Sequence, residues 1–239
     1  MRSSSPFALW RFESLLQNSE PLLGGLLRTI LVATLALLLA LAIGIVIGLF
    51  STSQNRILKG MARIYVEFFQ NIPLVIQIFF MYNGLAMAGL VLSEFTIGVI
   101  GVGLYHGAYI GEVVRAGILA IPKGQTEAAY SQGFDYIQTM RYIVLPQTIK
   151  IILPPLANQA VNLIKNTSVL AIIAGGDLMY TADSYASSSL NYGPAYLVAG
   201  LVYFILCYPL AIFAKRYEEK LKRRDIATVT PLDLPEVIE

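Results

Sequence analysis

Charge is what this chain has least of. Only 13% of its 239 residues are Asp, Glu, Lys or Arg, where a soluble domain carries roughly a quarter. With 56% hydrophobic residues and a mean hydropathy of +0.65, this deficit excludes an ordinary water-soluble domain and points to the bilayer. A net charge of +2 gives no whole-chain case for a nucleic-acid partner. The one cysteine, Cys207, lies in an apolar run, so an intrachain disulfide is impossible and a packing role fits the thiol best. The one histidine, His106, has no second His or Cys cluster nearby, so no metal site is expected and a packed or hydrogen-bonded imidazole is. Enzyme signatures are missing as well. There is no Gly-Lys dipeptide and hence no phosphate loop, no Gly-x-Ser elbow and no His-Glu-x-x-His. The chain reads as a non-enzyme. Its start, MRSSSPFALWRFESLLQNSEP, lacks the apolar core and small-residue site of a cleavable leader.

What is present is a series of long apolar stretches. The first runs over 22–50 and is uncharged from Thr29 to Phe50, enough helix for a hydrocarbon core of about 30 Å. Gly44 and Gly48, four apart, either admit a neighbouring helix closely or are ordinary membrane glycines. STSQNRILKG follows as a polar loop. The second span, 64–92, holds FFQNIPLVIQIFF, in which Pro73 disturbs the preceding turn. The third, 95–121, carries Glu112 and Arg115 on one face, either paired locally or turned to a polar cavity. A polar stretch over 122–145 separates it from the fourth span, 146–174, which Pro154 and Pro155 are expected to break. GGDLMYTADSYASSSLNYGP reads as a polar loop, 195–214 as the fifth span, and KRYEEKLKRRD as a basic amphipathic tail with a loosely ordered end. The division expected is an N-terminal segment 1–21, a membrane domain 22–216 and a C-terminal tail 217–239.

Loop charge sets the orientation. Arg56, Lys59 and Arg63 follow the first span; Arg115, Lys123 and Arg141 follow the third; Lys215, Arg216, Lys220, Lys222, Arg223 and Arg224 follow the fifth. The other two loops carry Glu94, Asp177 and Asp183 and no Lys or Arg. The basic segments are therefore expected in the cytoplasm, with the C-terminus inside and the N-terminus outside. Arg2 and Arg11 run mildly against this, accompanied by Glu13 and Glu20.

The stretch EAAYSQGFDYIQTMRYIVLP, from Glu127 to Pro146, organises the rest. Read as a helix, it puts Ala129 and Gly133 on one nearly bare face that another protein can approach. Its spacing of Glu127, Ala128, Ala129, Gly133, Ile143, Leu145 and Pro146 resembles the cytoplasmic coupling loop of ABC importer permeases. YVEFFQNIPLVIQIFF (Tyr65 to Phe80), AYIGEVVRAGILAIPKGQTEAA (Ala108 to Ala129), LPQ (Leu145 to Gln147) and KNTSVLAII (Lys165 to Ile173) are similar to the polar amino-acid branch of that family. The likeness covers about residues 20 to 220. Asn71 stands where Gly or Thr is frequent, and Asn166 where Asp is frequent.

The resemblance implies an all-α integral membrane protein: the type I importer permease fold, with about five transmembrane helices and a cytoplasmic coupling helix. It implies a bacterial cytoplasmic (inner) membrane location and a second permease subunit, of the same or a homologous chain. It also implies a pair of ATP-binding subunits that hold ATP and Mg, an extracytoplasmic substrate-binding protein and a polar amino-acid substrate. The glutamine, glutamate and aspartate class is favoured, and basic amino acids are possible. No cofactor is expected in this chain. For the substrate path the intramembrane polar residues are Gln70, Asn71 and Gln77 around Pro73, Glu112, and Asn162, Lys165, Asn166, Thr167 and Ser168. The same groups also suit helix–helix hydrogen bonding. A stand-alone secondary transporter or channel would need its own coupling-ion site and often an inverted repeat, which the sequence does not display. A purely structural subunit gives no reason for Pro and several polar residues within two spans.

Overall fold

The computed structural model describes residue 5 and residues 7–228, with side chains to residue 221. Arg2, the side chains of Lys222, Arg223 and Arg224, and the tail from residue 229 lie outside the described residues. All regular structure among the described residues is helical, as a bilayer requires when backbone groups must be satisfied within the segment.

The scaffold is α2 (Glu20–Thr52) against α5 (Glu94–Leu119). Helix α2 buries Ala36, Ala40, Gly44 and Gly48, a stripe of small residues four apart. It faces Gly103, Gly107 and Gly111 of α5. The backbones come so close that a Cβ on Gly48 would lie 2.5 Å from Val114 Cβ, and one on Gly111 2.7 Å from Ile47 Cγ2. Close approach therefore explains Gly44 and Gly48; in lipid it is dispersion between fitted surfaces that holds such a pair. The other face of α2 leaves Leu23, Leu27, Leu31, Leu35 and Leu38 exposed.

The expected single second span is two helices. Arg56 and Lys59, expected in a loop, belong to α3 (Arg56–Asn71), which Asn55 caps by accepting from Ile57 N at 2.9 Å. The chain then turns by 97° into α4 (Leu74–Met87). Pro73 has no amide to donate and forces Ile72 into an extended conformation (φ −105°, ψ 126°). Gln77 is buried, and its Nε2 donates to Phe69 O at 3.0 Å and Ile72 O at 2.9 Å, carbonyls that the break has orphaned.

Helix α6 (Lys123–Ser131) precedes a turn and a short helix, Tyr136–Thr139, which runs through a π-turn into α7 (Leu145–Asn166). Pro154 and Pro155 do not break α7. The carbonyls that lose a donor belong to Lys150 and Ile151, both exposed near the helix start. A 3-10 turn, Thr167–Ile173, extends α7. The expected polar loop beyond it contains α8 (Leu178–Ser189), whose Ala182 and Ala186 are fully buried with Leu15, Leu178, Ala195 and Ala199. Leu15 comes from α1 (Leu9–Gln17), which Asn191 ties down by donating from Nδ2 to Arg11 O at 2.8 Å. Helix α9 (Tyr192–Thr228) carries the fifth span straight into the basic tail.

Among the described residues three helices qualify as spans by length and apolarity, and four if the bent pair counts as one. Helix α7 has 22 residues, about 33 Å at ~1.5 Å per residue, but its two lysines and its Asn and Gln residues keep it from qualifying by composition. The all-helical architecture is as expected; a fifth crossing would have to rest on this polar helix.

Asp177 caps α8 through Met179 N at 2.9 Å, while the adjacent Leu178 N donates to Thr29 Oγ1 on α2 at 3.0 Å. Its carboxyl is fully buried and Oδ1 has no partner. Burial pushes the carboxyl up to about 6, against opposing hydrogen bonds and the Arg28 guanidinium; Tyr203 of α9 faces it too. A carboxyl raised in the folded state costs stability where it is ionised, and the cost is relieved as pH falls through 6 toward 4. Asp177→Asn keeps a capping oxygen without the charge. It is expected to melt higher than wild type at pH 7.5, with the difference shrinking by pH 4.5, as read by thermal unfolding at both pH values.

Candidate functional site

Two helices bring polar side chains together. On α5, Tyr105, His106 and Tyr109 fall within just over one turn; on α7, Gln159, Asn162 and Asn166 recur at helical spacing, with Lys165 beside them. They line one cleft of about 400 Å³. His106 is buried and held from both sides: Asn166 Nδ2 donates to Nε2 at 3.0 Å, which puts the ring proton on Nδ1, facing Gln159 Oε1 at 3.4 Å. The Tyr105 and Tyr109 hydroxyls meet at 3.1 Å. Lys165 is exposed and makes no ion pair among the described residues. Its side chain also lines a second cavity of about 360 Å³ with Ser168, Tyr196 and Tyr203. Lys165 thus lines both cavities.

The residues expected along the path do not all converge. Asn162, Lys165 and Asn166 line the central cleft, and Ser168 the adjoining cavity. Thr167 is buried, its hydroxyl donating to Ile164 O at 2.7 Å. Gln77 and Pro73 make the bend, and Asn71 is an exposed C-terminal cap donating to Glu67 O at 2.7 Å. Gln70 and Glu112 lie in another cavity of about 520 Å³, with Lys59, Arg63 and Arg115. There Arg115 holds Glu112 at 2.7 Å, so the two pair locally and also face a cavity. Tyr105, Tyr109 and Gln159 are additions to the sequence reading, and His106 is hydrogen-bonded as expected but also lines the cleft. The available signal was the run of polar groups at Gln159, Asn162 and Asn166, one face of one helix.

In the Glu127–Pro146 stretch, Glu127 and Ala128 are exposed on α6 while Ala129 is buried. Ala129 and Gly133 do not share a helical face, because α6 ends at Ser131 and Gly133 adopts φ +87°. Gly133 N donates to Tyr130 O at 2.9 Å and Phe134 N to Ala129 O at 3.1 Å, the paired bonds of a Schellman stop that a left-handed glycine permits. Asp135 and Gln138 then start the next helix with a reciprocal capping box. Ile143 and Leu145 are half-buried and Pro146 is exposed. Gln147 donates to Ile143 O at 2.7 Å and to Gln125 Oε1 at 2.5 Å, tying α6 to α7.

Comparison with known proteins agrees with this architecture. The chain is 41% identical over 209 residues to the "Probable glutamine ABC transporter permease protein GlnM" of Bacillus subtilis, covering 87% of this chain and 97% of that protein. It is 35% identical to the arginine transport system permease protein ArtQ of the same organism, covering 85% and 94%. A crystal structure of an amino acid ABC transporter with histidines superposes with a TM-score of 0.81 at 32% identity, over 87% of this chain and 98% of that one. A chain of the MetNI methionine ABC transporter shares the fold at a TM-score of 0.62 and 15% identity, over 90% and 99%. The family described as "Binding-protein-dependent transport system inner membrane component" matches residues 40–223, most of the chain, and to that family of membrane-embedded, non-catalytic ABC permease subunits this protein belongs.

Proposed function

We propose that this chain is the permease subunit of an ATP-driven importer that moves a polar amino acid into a bacterial cell through the α5–α7 cleft. The observation that carries the reading is Lys165: a cation in a membrane helix, without an ion-pair partner among the described residues and lining the polar cleft between α5 and α7. Charge at such depth is costly unless water or a ligand meets it, and an α-carboxylate is such a ligand. ATP and Mg belong to a partner ATPase docked on α6, and an extracytoplasmic binding protein delivers the amino acid. The names of the similar permeases favour glutamine and leave arginine as the second choice.

The test is uptake into proteoliposomes holding the purified complex, with its subunits identified. Lys165→Met should cut ATP-driven uptake at least tenfold while the ATPase still co-purifies. Uptake that survives mutation of the ATPase's catalytic carboxylate would instead indicate a secondary transporter.

The orientation follows from loop charge: α8 outside, α6 and the end of α9 inside. In a Cys207→Ala background, Asp183→Cys should react with an impermeant thiol reagent on intact cells and Lys123→Cys only after lysis. The reverse pattern would invert the orientation.

A further inference from the structure

We infer that the cleft selects by charge, admitting amide and acidic amino acids and rejecting those with a cationic side chain. The inference rests on the cleft being the path proposed above and goes one step further, to the class of side chain. Its lining holds one fixed cation, Lys165, and no carboxylate. The remaining groups are two phenols, two asparagines, a glutamine and an imidazole. That imidazole is taken up between two amides, accepting at Nε2 from Asn166 and facing Gln159 Oε1 with Nδ1.

The carboxylates near the two cavities do not line the cleft: Asp177 faces Tyr203 of the adjoining cavity but is sealed at the start of α8. Glu112 lies one turn beyond Tyr109 but accepts from Arg115 at 3.0, 3.1 and 2.7 Å. Asp183 accepts from the Tyr196 hydroxyl of the adjoining cavity at 2.5 Å. A zwitterion can place its carboxylate on Lys165 and its ammonium among the phenol and amide oxygens. A further amide or carboxylate on the ligand finds N–H and O–H donors in the cleft. A guanidinium or a second ammonium finds no anion there and adds repulsion from Lys165, in surroundings where charge is poorly screened. Asn166 decides the balance: an aspartate at this position would cancel the cation beside it.

The test uses the ATP-free permease–ATPase complex in nanodiscs without its binding protein, so that only the membrane site selects. Equilibrium binding of radiolabelled glutamine, glutamate and arginine is measured for wild type, Asn166→Asp, Asn162→Asp and Lys165→Gln. Asn162→Asp guards against a misfolded Asn166→Asp, because Asn162 makes no hydrogen bond from its side chain that a change would break. Wild type is expected to bind glutamine and glutamate at least tenfold more tightly than arginine. Either aspartate should shift the glutamate-to-arginine ratio at least tenfold toward arginine, and Lys165→Gln should lose glutamate first. If wild type binds arginine as tightly as glutamine while the aspartates still shift the ratio, charge selection is wrong and the cleft stands. If no amino acid binds, or no substitution alters any affinity, the cleft is not the path and both readings fall.

Discussion

Gly44→Val is expected to remove most of the folded permease from the membrane. A Cβ at this position would collide with Ile110 Cγ2, lie 2.6 Å from Ile110 Cβ and stand 3.1 Å from the Gly111 backbone nitrogen. A side chain can rotate away; a β-carbon and a backbone atom cannot, so α2 and α5 must separate. Their contact is dispersion between close backbones, and it weakens steeply with a gap of even an ångström. Overpacking costs about 1–3 kcal/mol for small insertions, and valine adds three carbons against a total stability of about 5–15 kcal/mol. The measurement is fluorescence-detected size exclusion of a tagged chain, where the monodisperse peak should fall at least tenfold. Gly24→Ala, in the same helix with nothing within 4 Å of its new Cβ, should leave the peak unchanged. Gly44→Ala combined with Ile110→Gly should restore part of what Gly44→Ala alone loses. An unaltered peak for Gly44→Val would mean that α2 and α5 do not meet as described.

The apolar helices were legible because a bilayer imposes length and composition together, so α2, α5 and α9 stand out in the sequence as long runs with little charge. Helix α8 was not legible, because its burial depends on neighbours. Ala182 and Ala186 vanish against α1, α2 and α9 contacts that no local pattern announces, while the intervening serines and Asp183 suggest a loop. Only the Asp177 cap was a local sign of a helix start. Pro73 marked the break in the second span, but the 97° turn depends on Gln77 reaching back to Phe69 and Ile72. That return contact gives Gln77, expected on the path, a structural role at the bend. In the cleft, Lys165 and the asparagines were legible because polarity in a membrane helix is costly. Tyr105 and Tyr109 were not, since a tyrosine is at home in an apolar helix until its hydroxyl is seen facing a cavity.

Gly133→Arg is expected to abolish uptake while leaving the permease folded. The position is exposed, and a Cβ there meets nothing within 4 Å in this chain, so the new side chain enters only the space that a docked ATPase would fill. Two effects are combined in that substitution. One is backbone strain, because φ +87° lies outside what most L-residues adopt readily, a cost of about 1 kcal/mol. The other is bulk on the face beside Glu127 and Ala128, both exposed on α6. Gly133→Ala supplies strain with almost no bulk, and Gly133→Asn supplies modest bulk with a residue that tolerates the left-handed region. If the glycine serves the stop of α6, alanine should be the more damaging of the two; if it serves ATPase docking, asparagine should be. Glu127→Ala removes a carboxylate from the first half of α6 that is free to meet a basic residue on the partner, and it should reduce coupling several-fold rather than abolish it. The readouts are retention of the ATPase on the purified complex and stimulation of hydrolysis by loaded binding protein. Gly133→Arg should lose one or both, with the melting temperature of the isolated permease within a few degrees of wild type. Retention and stimulation both at the wild-type level would mean that the ATPase docks elsewhere, and that the tie from Gln125 through Gln147 to α7 does not carry its motion to the cleft.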